Sequence, residues 1–204
     1  MYIIPRNLNF EKSKIPLQKR LGRLDFAATR NFLVRKYPCS FEGVFQIFSL
    51  LLYNICMKIF IGSDHAGYEL KEKLKTYLEE LNHEVVDKGA FSLDKDDDYP
   101  DFIKPVAEEV SKDVNSFGII LGGSGQGEQI SANKINGARA IEYYGGNLEI
   151  IKLGREHNNA NILSLGARFV IEEEAKEVVK IFIETPFSND ERHIRRINKI
   201  ENIN

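Results

Sequence analysis

Residues 122–127, with the sequence Gly-Gly-Ser-Gly-Gln-Gly, form the segment of the chain best suited to binding an anion, and Glu128 follows directly. Glycines let backbone N–H groups approach a phosphate or an oxyanion closely, and the start of a following helix adds a positive dipole. The segment lacks the Lys-Ser/Thr of the NTPase phosphate loop and only half matches the dinucleotide fingerprint. Glu128 is placed either to stabilise the start of that helix or to act as a general base beside the anion.

Two further polar clusters contain histidine, whose side chain titrates near neutral pH and suits acid–base chemistry. Asp64 and His65 follow the first apolar run directly; alternatively, Asp64 caps the next helix and His65 lies on the surface. His157 and Asn158 belong to a polar stretch at 154–161 that is typical of a loop, with a solvated helix end as the alternative.

Three arginines are candidates for binding a phosphate monoester. Arg168 follows the fifth apolar run, and Arg192 and Arg196 lie four residues apart, so they share one face of the predicted last helix. Two guanidinium groups side by side suit a phosphate dianion. A basic surface face on a terminal helix is the alternative interpretation.

Apolar runs and amphipathic segments alternate along residues 57–204 and predict the elements that position these residues. The predicted strands cover 59–61, 84–87, 117–121, 138–141 and 162–165, and the predicted helices cover 68–81, 100–114, the segment from the Gly-rich loop through 134, 147–156, 172–184 and 189–200. Strands that are continuous apolar runs indicate a parallel sheet covered on both faces. We therefore expect an α/β fold: a doubly wound, Rossmann-like, five-stranded parallel sheet, with the ligand beyond the carboxyl ends of its strands.

Residues 1–56 differ in character from the rest of the 204-residue chain, because they are basic and irregular and end in an apolar run at 44–56. That run is too short for a membrane-spanning helix, which needs about 20 apolar residues. The long basic region does not fit a signal peptide, because the apolar run passes directly into a predicted strand. We interpret 1–56 as an extension upstream of a native start at Met57, with a regulatory, docking or membrane-tethering segment as the alternative.

Composition narrows the function further. The net charge of −2 gives no basic field for nucleic acid, so no nucleic-acid partner is expected. Both cysteines, Cys39 and Cys56, precede residue 57, which excludes a disulfide framework or a Cys-rich metal site from the domain at 57–204. The expected compartment is the cytoplasm, with no membrane partner.

Taken together, the motifs of residues 57–204 resemble the type B ribose-5-phosphate isomerases, in the wider family that includes the galactose-6-phosphate isomerase subunits. The matching segments, in the family's order, are 62–67, 98–100, 122–134, 155–161, 165–168 and 192–196. The resemblance implies interconversion of ribose 5-phosphate and ribulose 5-phosphate through an enediolate, in the pentose phosphate pathway, without metal or cofactor. It also implies a homodimer or tetramer with active sites between subunits.

The resemblance also implies roles for the site residues. Asp64 and His65 would contact the sugar, while His157 and Asn158 would help to open the furanose ring and bind the chain. The donors to the enediolate oxyanion would be Gly123, Ser124, Gly125, Gln126 and Gly127, with Ser124 also orienting the enediolate or the base. The phosphate clamp would be Arg168, Arg192 and Arg196. His157, Asn158 and the arginines would face the Gly-rich loop of a partner chain.

One position separates two subgroups of the family. Many members carry Cys at the position of Gly122 and use its thiolate as the base, which this chain excludes because 57–204 contain no Cys. The other subgroup has Gly there and Glu after the loop, so the resemblance implies that Glu128 is the base, with a pKa raised by partial desolvation. Two alternatives stay open: an isomerase of allose or galactose 6-phosphate, and a non-catalytic anion- or nucleotide-binding module.

Overall fold

The computed structural model describes residues 56–202, so the predicted extension lies outside the described residues except for Cys56. The strands are β1 Lys58–Ser63, β2 Glu84–Asp87, β3 Ser116–Gly122, β4 Ala140–Tyr143 and β5 Ile162–Gly166, and the helices are α1 Tyr68–Glu80, α2 Pro100–Lys112, α3 Gln126–Ala132, α4 Glu149–Asn158, α5 Glu172–Glu184 and α6 Glu191–Glu201. Within 56–202, no helix has the length and apolar character needed to span a bilayer.

All five strands are parallel, and their order across the sheet is β2-β1-β3-β5-β4. The central strands β3 and β5 are buried along their whole length, as continuous apolar runs predict. Alternate residues of β1 point to opposite faces: Ile59 and Ile61 join one apolar core with α1, α4 and α5, and Phe60 joins a second core with α2 and α3. The predicted doubly wound α/β sheet is therefore confirmed.

The strand order reverses at β1, which pairs with β2 on one side and β3 on the other. The carboxyl ends of β1 and β3 lie side by side there, with Ser63 paired to Leu121. Gly67 packs so closely on the end of β3 that a Cβ atom on it would lie 2.6 Å from the Leu121 side chain. The crevice at this switch point is where ligands bind in such sheets.

Several predicted boundaries differ from the observed ones by one or two residues, and two of these differences have a clear physical cause. Strand β4 begins at Ala140 rather than at 138, because Arg139 is held by a loop contact in which its N–H donates to Asn161 Oδ1 at 2.7 Å. The polar stretch at 154–161 is not a loop throughout, since α4 continues through His157 to Asn158.

Arg155 explains why that polar stretch stays helical. Its guanidinium is buried and donates to the carbonyl oxygens of Ala160 and, at 3.1 Å, Thr185, both of which lie beyond the end of α4. The group also lies over the rings of Phe117 and Phe182, and desolvation lowers the pKa of Arg155 to about 10. Arg155 therefore stabilises the end of the helix that carries His157.

Candidate active site

The Gly-rich loop joins β3 to α3 and is held from below by the end of β5. Gly125 has φ +86°, a left-handed conformation that favours glycine, and its carbonyl accepts a 2.6 Å hydrogen bond from Ser164 Oγ. The N–H of Arg168 donates to Gly123 O at 3.1 Å, and the N–H of Gln126 donates to Ser124 Oγ at 3.4 Å. These contacts fix the loop in the crevice at the switch point.

Glu128 lies in the first turn of α3 and is only 4% exposed. A Cβ atom on Gly122 would overlap its carboxylate, so the carboxylate occupies the space that a side chain at 122 would need. Burial raises the pKa of Glu128, and the negative charges of Asp64 and Glu142 raise it further. A buried carboxylate with a raised pKa, beside a loop rich in backbone donors, is suited to taking and returning a proton.

Glu142 is a second carboxylate close enough to act electrostatically on Glu128, and no sequence motif singled it out. It lies on β4, where burial raises its own pKa, and its Oε1 is buried with no hydrogen-bond partner among the described residues. The candidate base therefore lies near other carboxylates as well as being shielded from water.

Asp64 and His65 extend from the end of β1 into the same crevice. Asp64 is buried, and its Oδ1 accepts hydrogen bonds from the N–H groups of Ala66 at 2.9 Å and Gly67 at 3.0 Å, so it also orders the chain entering α1. The His65 ring lies against Asp97, with Nδ1 at 2.6 Å from Oδ1. The expected cluster thus forms, with an additional acidic partner from the polar loop before α2.

Arg168 and Tyr99 flank the Gly-rich loop on either side. A Cβ atom on Gly123 would lie 3.2 Å from the Arg168 guanidinium carbon, and one on Gly127 would lie 2.9 Å from the Tyr99 ring. Arg168 therefore lies beside the loop of its own chain, which corrects the expectation that all three arginines reach the loop from a partner. Tyr99 was absent from the predicted site residues, although its Asp-Tyr-Pro segment belongs to the resemblance.

His157, Asn158, Arg192 and Arg196 form a second group elsewhere in the chain. The ring centroids of His157 and His193 are 4.4 Å apart, and the N–H of Ser188 donates to Glu156 O at 3.2 Å, which holds the start of α6 against the end of α4. Arg192 and Arg196 are exposed on α6, and their four-residue spacing places them on one face of this helix. This group therefore presents a histidine, an amide and two guanidinium groups together.

The two groups lie at opposite ends of the parallel strands: the first at the edge of the sheet formed by the carboxyl ends, and the second at the edge formed by the amino ends. Helix α4 runs from the carboxyl end of β4 back to the amino end of β5, because the two strands are parallel neighbours. Its ten residues span about 15 Å, and His157 and Asn158 are at its far end. The structure therefore brings Asp64, His65, Glu128 and Arg168 together around the Gly-rich loop, but it does not bring His157 to them within one chain.

Asp64, His65 and Asp97 offer nitrogen and oxygen donor atoms within 4.8 Å of one another, a spacing that a metal ion requires. Hydrogen bonds already use one such atom of each residue: His65 Nδ1 and Asp97 Oδ1 bind each other, and Asp64 Oδ1 accepts two backbone N–H groups. We therefore interpret the cluster as a hydrogen-bonded part of an anion site.

Comparisons with known proteins converge on one group. A family model described as Ribose/Galactose Isomerase matches residues 59–200. A Mycolicibacterium paratuberculosis protein named ribose-5-phosphate isomerase B is 47% identical over 142 residues, which cover 70% of this chain and 88% of that protein. A ribose 5-phosphate isomerase structure from Thermotoga maritima has 44% identity and a TM-score of 0.67, covering 72% of this chain and 99% of that one. Ribose-5-phosphate isomerase B from Mycoplasma genitalium, solved with bound ribulose-5-phosphate, has 39% identity and a TM-score of 0.67, covering 71% of this chain and 93% of that one.

Proposed function

The chain belongs to the ribose/galactose isomerase family, and from this premise we propose that it interconverts ribose 5-phosphate and ribulose 5-phosphate with Glu128 as the base. The observation that carries the assignment of the base is the position of its carboxylate, buried in the space left by the missing side chain of Gly122. In the cysteine-containing subgroup that space would belong to the thiol. The glutamate therefore approaches the reacting carbons from the same side of the crevice.

The proposed reaction moves one proton between neighbouring carbons. Glu128 takes the proton from C2 of the open-chain aldose, and the electrons of the broken bond form the C1=C2 double bond as negative charge develops on O1. Backbone N–H groups of residues 123–127 stabilise that oxyanion. The proton on O2 passes to O1, and Glu128 returns its own proton to C1, which leaves the ketose. Base and acid are then the same group, and triosephosphate isomerase likewise uses a glutamate as its base.

The raised pKa of Glu128 fits this role. A carboxylate with an ordinary pKa is too weak a base to take a carbon-bound proton efficiently, and desolvation increases its basicity. Substrate that covers the crevice would remove more water from Glu128 and raise its pKa further. The negative charge of Asp64 acts in the same direction.

A second copy of the chain completes the proposed site. His157, Asn158, Arg192 and Arg196 lie at the sheet edge opposite to Glu128, so they reach a substrate at the Gly-rich loop only if they come from another subunit. A two-fold arrangement would supply each crevice with the second group of its partner, because such contacts are reciprocal. Tyr144, Phe169 and Ile171 follow β4 and β5 at the crevice edge and are more than half exposed, so they offer apolar surface for the contact.

The activity is tested with the purified full chain and, beside it, the 57–204 domain, supplied with ribose 5-phosphate in EDTA and assayed for ribulose 5-phosphate. Turnover by both proteins supports the substrate, a mechanism without a removable metal, and the assignment of the activity to 57–204. Turnover only on allose 6-phosphate or galactose 6-phosphate supports the proposed isomerisation but shows that the substrate is a hexose phosphate. Silence of folded protein on all three sugars supports an anion-binding module instead.

Arg196→Ala is expected to raise KM for ribose 5-phosphate with a much smaller change in kcat. A phosphate far from the reacting carbons is bound about equally in the ground and transition states, so its loss mainly weakens binding. A charge-assisted contact of this kind contributes about 1.5–3 kcal/mol, which corresponds to a 10- to 200-fold rise in KM. Lys199→Ala, which removes another exposed cation on α6, is the matched control. An unchanged KM for Arg196→Ala removes this residue from the clamp.

A further inference from the structure

We propose that Asp97 is a positioning residue, which holds His65 in one orientation and with both ring nitrogens protonated, so that Nε2–H is presented to the phosphate of the substrate. The inference rests on the proposed function and adds to it a residue that no motif indicated. Asp97 touches neither the sugar nor the reacting carbons in this proposal. It acts through His65 alone.

The geometry of the pair is the first support. The distance from His65 Nδ1 to Asp97 Oδ1 is 2.6 Å, short for a hydrogen bond between nitrogen and oxygen and typical of a charge-assisted one. The Asp97 side chain is 6% exposed, whereas Asp94, Asp96 and Asp98 in the same loop are exposed. One of four aspartates in this polar loop therefore turns inward, and it does so onto the histidine.

The second support is the burial of the other carboxylate oxygen of Asp97, Oδ2. Oδ2 is buried and has no hydrogen-bond partner among the described residues. A buried carboxylate is costly unless a positive charge or several donors compensate it. Because the pairing with His65 is the only side-chain hydrogen bond or ion pair of Asp97 among the described residues, an imidazolium is the compensating charge.

The chemistry of histidine gives the consequence for the ligand. With Nδ1 donating to Asp97, the exposed nitrogen is Nε2. On a neutral ring with this tautomer Nε2 is an acceptor, which repels phosphate oxygens. On the cation Nε2 is a donor with a full positive charge, close enough to Arg168 for the two cations to interact electrostatically. The carboxylate of Asp97 thus changes what His65 offers to an anion.

The charges around His65 determine how this depends on pH. The hydrogen bond to Asp97 raises the pKa of His65 most, and Asp64 adds to the rise, while burial and Arg168 oppose it; the net effect places the pKa above its ordinary value. His65 is cationic below that raised pKa, so anion binding is strong there and weakens as pH rises through it. Removing the charge of Asp97 is expected to move this weakening to lower pH.

The test compares wild type with Asp97→Asn, which keeps an oxygen for the Nδ1 proton but removes the charge, and with Asp96→Asn, an exposed neighbour in the same loop. Four quantities are measured against pH: the His65 ring resonances by NMR, assigned with His65→Asn; the dissociation constant of inorganic phosphate; and KM and kcat for ribose 5-phosphate. In Asp97→Asn, the His65 titration and the rise in KM are expected at lower pH than in wild type. KM is expected to rise at most about tenfold per pH unit, and kcat to change far less. Asp96→Asn is expected to behave like wild type.

Two results overturn the proposal. One is a wild-type His65 that titrates at or below the free imidazole value, a measurement that does not depend on the folding of any variant. The other is a folded Asp97→Asn whose His65 titration and phosphate affinity match those of wild type. The phosphate and NMR measurements need no turnover, so they test Asp97 independently of the substrate. If the isomerase assay fails but Asp97→Asn still shifts the His65 titration to lower pH, the proposed substrate is refuted and the role of Asp97 is supported.

Discussion

Glu128→Gln is expected to lower kcat for ribose 5-phosphate by roughly 10²–10⁴-fold, the range that a positioned general base contributes. Glutamine has the same shape as glutamate, so the crevice keeps its form, but the amide cannot accept the proton from C2. Initial rates and single-turnover measurements give the loss directly. Glu149→Gln is the matched control, because it removes an exposed glutamate from the first turn of α4 and is expected to change kcat little.

Stability separates loss of chemistry from loss of fold in this experiment. The folded-state pKa of Glu128 is raised by burial, so its ionised form destabilises the folded protein at pH values above the ordinary carboxyl pKa. A neutral glutamine removes that penalty, and the melting temperature of Glu128→Gln at neutral pH is expected to equal or exceed that of wild type. A stable variant that keeps activity within about tenfold of wild type contradicts the assignment of the base.

The pH dependence of the wild-type enzyme follows from the same group. Activity requires the carboxylate, so kcat/KM is expected to fall as pH decreases through the raised pKa of Glu128, at higher pH than for an ordinary glutamate.

Gly122→Ala is expected to lower the rate by displacing the same carboxylate, because its methyl group would take the space that the carboxylate occupies. This variant keeps the acid but is expected to lose much of the rate.

The parts of the fold that the sequence predicted best are those governed by one local rule. Helix α1 was placed correctly because its apolar residues recur with the 3.6-residue period of a helix. Strand β3 was placed correctly because it is a short, continuous apolar run. The ligand was expected beyond the carboxyl ends of the strands, since parallel strands bring these ends together at one edge. The crevice around Asp64 and Glu128 was therefore predictable from the strand pattern, whereas Arg168 was expected to reach the loop of a partner chain.

The parts that escaped prediction depend on contacts between distant segments. Asp97 lies in a run of exposed acidic residues, and only its 2.6 Å contact with His65, 32 residues away, distinguishes it. The extension of α4 through His157 depends on Arg155, whose buried guanidinium binds carbonyl groups beyond the helix. Glu142 was missed because a single acid in a short strand looks like an exposed position until the packing of α3 on β4 is known.

Restoring activity by combining two inactive chains is the second large effect expected. Glu128→Gln and His157→Asn damage groups at opposite sheet edges, so in a shared-site dimer each mixed pair contains one doubly damaged site and one intact site. Random assembly makes about half of the dimers mixed, and half of their sites are intact, so about a quarter of wild-type activity is expected. Each variant alone is expected to retain roughly 1% or less.

Coexpression of the two chains with different affinity tags, followed by tandem purification, isolates the mixed dimer and raises the expected value to about half. The control mixes Glu128→Gln with Asp64→Asn, two changes on the same side of the site, because every site in that dimer then carries one lesion. Recovery in the first mixture but not in the control supports sites built from two subunits. No recovery in an isolated, folded mixed dimer means that His157 does not serve the partner's crevice. Because α4 keeps His157 and Glu128 at opposite edges of one chain, the loss of activity in His157→Asn would then be assigned to the structural contact of His157 with His193.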